Sequence, residues 1–216
     1  MPRTSHYDAD YFAWQGDVGR FGAWADLPKF ERYVRPTDRL VDFGCGGGYL
    51  LGALPAAERL GVEVNPAARE AAAERGLDVR PSPADLPDSW ADVVVSNHAL
   101  EHCAYPLAEL EALRPKVRPG GRFVCVVPSE TARRAYDPSD RDRHLYTWSP
   151  LNLGHLFDEA GYVVEEASEI VHRWPPLARQ IARVGGRPLF DVASRAYGRL
   201  RRSISQVRVV ARAPGP

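Results

Sequence analysis

Short runs rich in β-branched residues recur along the chain, separated by alanine- and leucine-bearing stretches and punctuated by glycine and proline. Such runs, too short for helices, read as buried strands, and the stretches between them as helices. The first strand contains Leu40, Val41 and Phe43, stops at an acid and breaks into glycines, and a helix follows from about Gly48. The second, Arg59–Val64, ends in Glu63, and Pro66 then opens a helix that runs to Arg75 and stops at Gly76. A third short strand covers Leu77–Val79 and a fourth Ala91–Ser96. Helix Pro106–Leu113 and the tight turn Arg118–Arg122 lead into the fifth strand, Phe123–Val127. Ser149-Pro150 opens a helix to Ala160, Gly161 caps it, and the sixth strand begins at once. The last strand is Ile204–Ala213. Ahead of all these, Leu27–Val34 reads as a helix ended before Pro36.

Strands alternating with helices predict an α/β doubly wound sheet. At 216 residues, 44% hydrophobic and 26% charged, the chain fits one globular domain with a substantial core. No apolar run approaches 18 residues and the N-terminus lacks a signal-peptide core, so neither a membrane span nor export is expected. Cys45, Cys103 and Cys125 are odd in number and widely spaced, which points to reduced thiols in a cytoplasmic protein. The net charge of zero hides an asymmetry. From His172 to Pro216 there are ten arginines and one acid, a net of +9 against −9 for residues 1–171. A basic stretch of this kind suits phosphates, anionic groups, or simple pairing with the acidic body.

The densest chemistry lies in Val41–Leu51, VDFGCGGGYLL. Glycines behind a strand allow positive φ and close approach of a ligand, and the following helix start offers unpaired N–H groups. That geometry suits a nucleotide-like ligand at the strand's carboxyl end. A dinucleotide fingerprint starting at Gly44 and Gly46 needs glycine or alanine where Tyr49 stands, which makes a nicotinamide oxidoreductase a poor match. The order is instead acid-x-Gly-x-Gly-x-Gly: Asp42, Gly44, Gly46, Gly48. Glu63, 21 residues after Asp42, stands at a strand end where doubly wound nucleotide folds place an acceptor for ribose hydroxyls.

This order resembles the first motif of class I S-adenosylmethionine-dependent methyltransferases, of the type 11-like kind. Glu63, Asp85, Leu100-Glu101-His102 and the Val117–Gly121 turn extend the likeness over roughly residues 38–170. A softer likeness is to methyltransferases of polysaccharide or natural-product biosynthesis. The resemblance implies a Rossmann-like, seven-stranded, mostly parallel sheet with helices on both faces and the last strand antiparallel. It implies one domain over 1–216: an aromatic lid segment 1–36, a cofactor-binding core 37–171, an arginine-rich insertion 172–203, and a last strand and tail 204–216. It implies S-adenosylmethionine as cofactor. Asp42, Gly44, Cys45, Gly46 and Gly48 would hold its methionine and ribose portions, with Asp42 facing the amino group. Glu63 would hold the ribose, with Val64 beside it in the cofactor site, Ala84, Asp85 and Leu86 the adenine, and Asn97 the methionine end.

Methyl transfer to a hydroxyl or ammonium also needs a proton acceptor, and histidine is poised for that near neutral pH. His144 and His98 are the candidates, with Glu101 third. The acceptor is expected to be a small molecule, such as a sugar or secondary metabolite. Tyr7, Tyr11 and Phe12 on the lid, with His144, Tyr146 and Trp148 on the long loop after the fifth strand, are the candidate substrate wall. His98 and His102 have a metal-binding spacing on a helix, but no third ligand stands at a suitable distance along the chain, so no metal is expected. An RNA methyltransferase and a catalytically inactive nucleotide-binding partner are the alternatives. Nucleic acid is not the expected substrate, because the Asn/Asp-Pro-Pro-aromatic signature is replaced by Ser96-Asn97-His98-Ala99. Assembly as a homodimer stays open.

Overall fold

A computed structural model describes residues 19–131, 135–201 and 204–215. Its centre is a seven-stranded sheet in the order β3-β2-β1-β4-β5-β7-β6. The strands are β1 Arg39–Phe43, β2 Glu58–Val62, β3 Asp78–Arg80, β4 Ala91–Asn97, β5 Val117–Glu130, β6 Val163–Ile170 and β7 Ile204–Arg212. The pairings among β1 to β5 are parallel, and β7 runs antiparallel to both β5 and β6. This is the Rossmann-like arrangement expected. The helices are α1 (residues 19–26), α2 Tyr49–Ala53, α3 Pro66–Ala73, α4 Pro106–Leu113, α5 Pro150–Glu159 and α6 Ala178–Leu200.

The central strands are apolar on both faces because helices cover both sides of the sheet. Alternation divides each strand between two layers. Val41, Val94, Phe123, Cys125 and Val127 belong to one core, with Phe157 of α5 and Tyr162. Leu40, Val93, Val95, Val124 and Val126 belong to the other, with Leu50 and Leu51 of α2 and Phe30.

Several element boundaries differ from expectation. Leu27–Val34 is not one helix but two 3-10 turns, Leu27–Lys29 and Glu31–Tyr33, because Phe30 leaves helical geometry at φ −120°. β2 stops at Val62; Glu63 N–H still donates to the Arg80 carbonyl of β3 at 2.9 Å, while its carboxylate turns onto the neighbouring loop. β5 is far longer than Phe123–Val127, since its antiparallel partner carries the ladder out to Glu130↔Ile204. Helix α5 carries a full capping box, Ser149 and Asn152 each bonding the other's backbone N–H.

In the segment 172–203, α6 is broken at Gly186, whose φ of 61° and ψ of −161° split it into two helical pieces. Its second piece docks on α1. The Phe190 ring lies 5.1 Å from that of Trp24 and 5.7 Å from that of Phe21. Arg187 donates to the Trp24 carbonyl and lies over its indole. The insertion and the N-terminal helix thus form one roof above the carboxyl ends of β1 and β4.

Candidate active site

The glycine loop is shaped from both sides. Gly44 and Cys45 N–H both donate to the Val62 carbonyl, at 2.8 and 3.1 Å. Gly46 N–H donates to Glu63 Oε2 at 2.9 Å, and Asn65 N–H donates to Glu63 Oε1 at 2.8 Å. One carboxylate therefore pins the loop to the start of α3. Gly44 adopts a φ of +74°, and a Cβ there would stand 2.2 Å from Ala99 Cβ. No other residue fits that position without moving the chain after β4.

Asp42 is 2% exposed, and its Oδ2 accepts no hydrogen bond among the described residues. Burial pushes its carboxyl up to about 7, with the nearby Glu63 adding to the rise. Burial likewise raises Glu63, against the Asn65 and Gly46 N–H groups and Arg69. A buried carboxylate without a partner is costly. Protonation relieves that cost below about pH 7, and above it the acid at the cavity floor calls for a cationic partner.

That cavity has a volume of about 470 Å³, within the range of small-ligand sites. Asp42, Gly44, Cys45, Gly46 and Gly47 line its floor, with Tyr49 and Leu50 of α2. Asn97 and His98 extend it past the end of β4, and the roof is made by Gly19, Gly22, Ala23 and Asp26 of α1 with His172, Arg173 and Trp174. Asp142, Ser205 and Gln206 complete the wall. His98 has a φ of 54°, a strained conformation of the kind that gathers at functional sites.

Of the expected cofactor residues, Asp42, Gly44, Cys45, Gly46 and Asn97 line this cavity. Gly48, at φ 75°, caps the start of α2. Val64 is exposed beside Glu63, and Ala84 and Asp85 are exposed in the 3-10 turn Pro83–Asp85. Leu86 is turned into the core instead of lying open beside them.

The expected substrate residues divide. Tyr7, Tyr11 and Phe12 lie outside the described residues. Trp148 is 6% exposed and belongs to the core. Tyr146 stacks on it at 5.5 Å and donates to the Ala104 carbonyl at 3.0 Å. His144 lies off the cavity wall, its Nδ1 3.2 Å from Glu130 Oε1 and its ring 5.0 Å from that of His102. Glu101 is fully buried, with His98 Nδ1 at 3.4 Å and His102 Nε2 at 3.9 Å. Burial would raise the Glu101 carboxyl, but the hydrogen bond and charge of His98, then His102, hold it below its ordinary range. Burial pushes His102 down.

Sequence reasoning missed the far wall. Asp26 is buried, 2.6 Å from Lys29 Nζ, and accepts from Asn97 Nδ2 at 3.0 Å. Burial would raise Asp26, yet Lys29, His98 and Asn97 hold it below its ordinary value. His172 lies 3.7 Å from Asp191 Oδ1 across the insertion, and burial lowers its pKa. Nothing local marks Asp26. His172, Arg173 and Trp174 open the segment 172–203, whose unusual length was the one available signal.

Comparison with known proteins agrees with this geometry. Residues 13–167 match the family described as "Methyltransferase domain". The ribosomal protein L11 methyltransferase of Ralstonia nicotianae is 35% identical over 105 residues, 44% of this chain and 33% of that protein. The ubiquinone biosynthesis O-methyltransferase of Cereibacter sphaeroides (strain ATCC 17025) is 40% identical over 101 residues, 40% of each chain. The match thus spans only a third to two fifths of these curated relatives. Among solved structures, a chain from the complex between the Haloferax volcanii Trm112 methyltransferase activator and a methyltransferase superposes with a TM-score of 0.64 at 23% identity, covering 94% of this chain and 97% of that one. The family match alone takes in well over half of the sequence, and the chain belongs to the methyltransferase domain family, with the class I methyltransferase sheet order.

Proposed function

We propose that this chain transfers a methyl group to a hydroxyl or amine of a small molecule. The observation that carries the reading is the extent of the cavity. It continues past the glycine loop into a roofed compartment lined by Asp26, Asn97, His98, His172 and Trp174. A roof built from two separate chain segments suits a compact acceptor better than a macromolecular one. One relative is named for an O-methylation in ubiquinone biosynthesis, which supports an oxygen acceptor.

The floor fits S-adenosylmethionine. Asp42, buried and without a partner on Oδ2, suits its ammonium group, Gly46, where a Cβ would meet nothing within 4 Å, lets it approach the backbone, and the Glu63 carboxylate has acceptor capacity beyond its two backbone bonds for ribose hydroxyls. Ala84 and Asp85, exposed in the 3-10 turn Pro83–Asp85, remain the candidates for the adenine end. When bound, the cofactor supplies an electrophilic methyl group. The protein's part is alignment and removal of the acceptor's proton. His98 lines the cavity and is backed by Glu101 at 3.4 Å, so it is the proton acceptor in this reading. Asp26, fixed by Lys29 and Asn97, orients the acceptor's polar group.

A second reading has one observation in its favour. Arg179, Arg183, Arg195 and Arg199 of α6 are all exposed, as a phosphate-binding face for RNA requires. The test is methyl transfer from methyl-tritiated cofactor to a panel of phenols, sugars and amines, with tRNA and rRNA in parallel. Label in a small molecule supports the first reading. Label confined to RNA, with an affinity falling steeply with salt, replaces it with the second. Calorimetric titration with S-adenosylhomocysteine, with NADH as control, checks the cofactor directly.

A further inference from the structure

We propose that Glu101, His102 and His144 form a binding site for one divalent transition-metal ion of the zinc type, placed directly behind the cavity wall at His98. Their ligand atoms all lie within 4.8 Å of one another. His102 Nε2 and Glu101 Oε1, at 3.9 Å, need to close only to about 3.4 Å, the spacing set by metal–ligand bonds of ~2.0–2.2 Å in a tetrahedron. Two imidazoles and one carboxylate are a donor set for zinc and its first-row neighbours and a poor one for magnesium, which prefers oxygen. Three protein ligands leave a coordination position open.

Two further observations point to a ligand. Glu101 is fully buried, and its carboxylate faces imidazole nitrogens, His98 Nδ1 at 3.4 Å and His102 Nε2 at 3.9 Å, with no tighter contact among the described residues. His144 is oriented from behind, its Nδ1 facing Glu130 Oε1 at 3.2 Å. A carboxylate on the outer nitrogen of a ligating histidine fixes ring and tautomer and leaves Nε2 for the ion. The loop that brings His144 here is fastened to the same residue, since Leu145 N–H donates to the Glu101 carbonyl at 2.9 Å. His98, the third imidazole, stands between Glu101 and the cavity. An ion at this place would polarise groups at the acceptor end of the cavity through its open position.

The experiment is calorimetric titration of the EDTA-treated full chain with zinc, with magnesium in parallel, and does not depend on the methyl acceptor. The expected result is one zinc per chain and no magnesium uptake. Glu101→Gln and His144→Gln should each weaken zinc binding at least about 100-fold, and the outer-shell Glu130→Gln roughly 10–100-fold. S-adenosylhomocysteine affinity and the melting curve of each variant verify the fold. If Glu101→Gln does not fold, His144→Gln and Glu130→Gln decide alone. Absence of zinc binding in the wild type, or unchanged binding in folded His144→Gln, overturns the proposal.

Discussion

Replacing Asp42 with asparagine should stabilise the ligand-free protein while weakening its hold on the cofactor. The carboxyl is completely buried, lacks a partner on Oδ2, and is raised from 3.8 to about 7 by burial and Glu63. A carboxyl raised on folding contributes nothing adverse while protonated, and stability is lost as pH climbs from the unfolded value through the folded one. The full loss is on the order of 4 kcal/mol, at 1.36 kcal/mol per tenfold change in acidity. Roughly 2.5 kcal/mol of it falls between pH 5 and pH 8. Asparagine imitates the neutral acid and removes that dependence. Urea unfolding of both proteins without ligand, across this interval, should therefore show the variant gaining on the wild type by roughly 2–3 kcal/mol as pH rises. The same substitution removes the charged acceptor for a ligand's ammonium, so S-adenosylhomocysteine affinity should fall by about 1.5–3 kcal/mol. Parallel stability curves for the two proteins would show that Asp42 is not the strained, unpaired acid described here.

Binding should also release a proton near pH 6, where Asp42 is still mostly protonated without ligand, and almost none near pH 8.5; calorimetry in buffers of different ionisation enthalpy measures this. Glu63→Ala should cost about 1–3 kcal/mol of S-adenosylhomocysteine affinity, because Gly46 and Asn65 N–H lose their acceptor along with the ribose site; an unchanged dissociation constant removes Glu63 from the site. Gly44→Ala should lower thermal stability by on the order of 1–3 kcal/mol and reduce ligand affinity, since the new Cβ meets Ala99 at 2.2 Å in a left-handed conformation. Phe190→Ala should cost about 3–5 kcal/mol in denaturant unfolding and raise the acceptor KM more than it weakens cofactor binding, because this fully buried ring fastens the roof to α1; a cost under about 1 kcal/mol would mean the roof is held elsewhere.

The glycine-loop end of the cavity was legible in the sequence because its signals are local. A strand buried on both faces is a continuous apolar run, as in β4 and β5. A left-handed turn is a glycine, as at Gly44 and Gly48. Glu63 could be placed by its distance from Asp42 because the intervening α2 and β2 are regular units of set length. The boundaries that shifted did so for tertiary reasons, as when β7 drew β5 out to Glu130. The far end of the cavity had no local signature. Asp26 and Asn97 bond across 71 residues, His172 reaches the cavity only because α6 folds back onto α1, and the expected wall residue Trp148 went to the core. His144 joins Glu101 and His102 only through the loop closure at Leu145. Spacing along a chain reveals chemistry that one turn or one strand can hold together; chemistry assembled from distant segments depends on the packing that closes the loops between them.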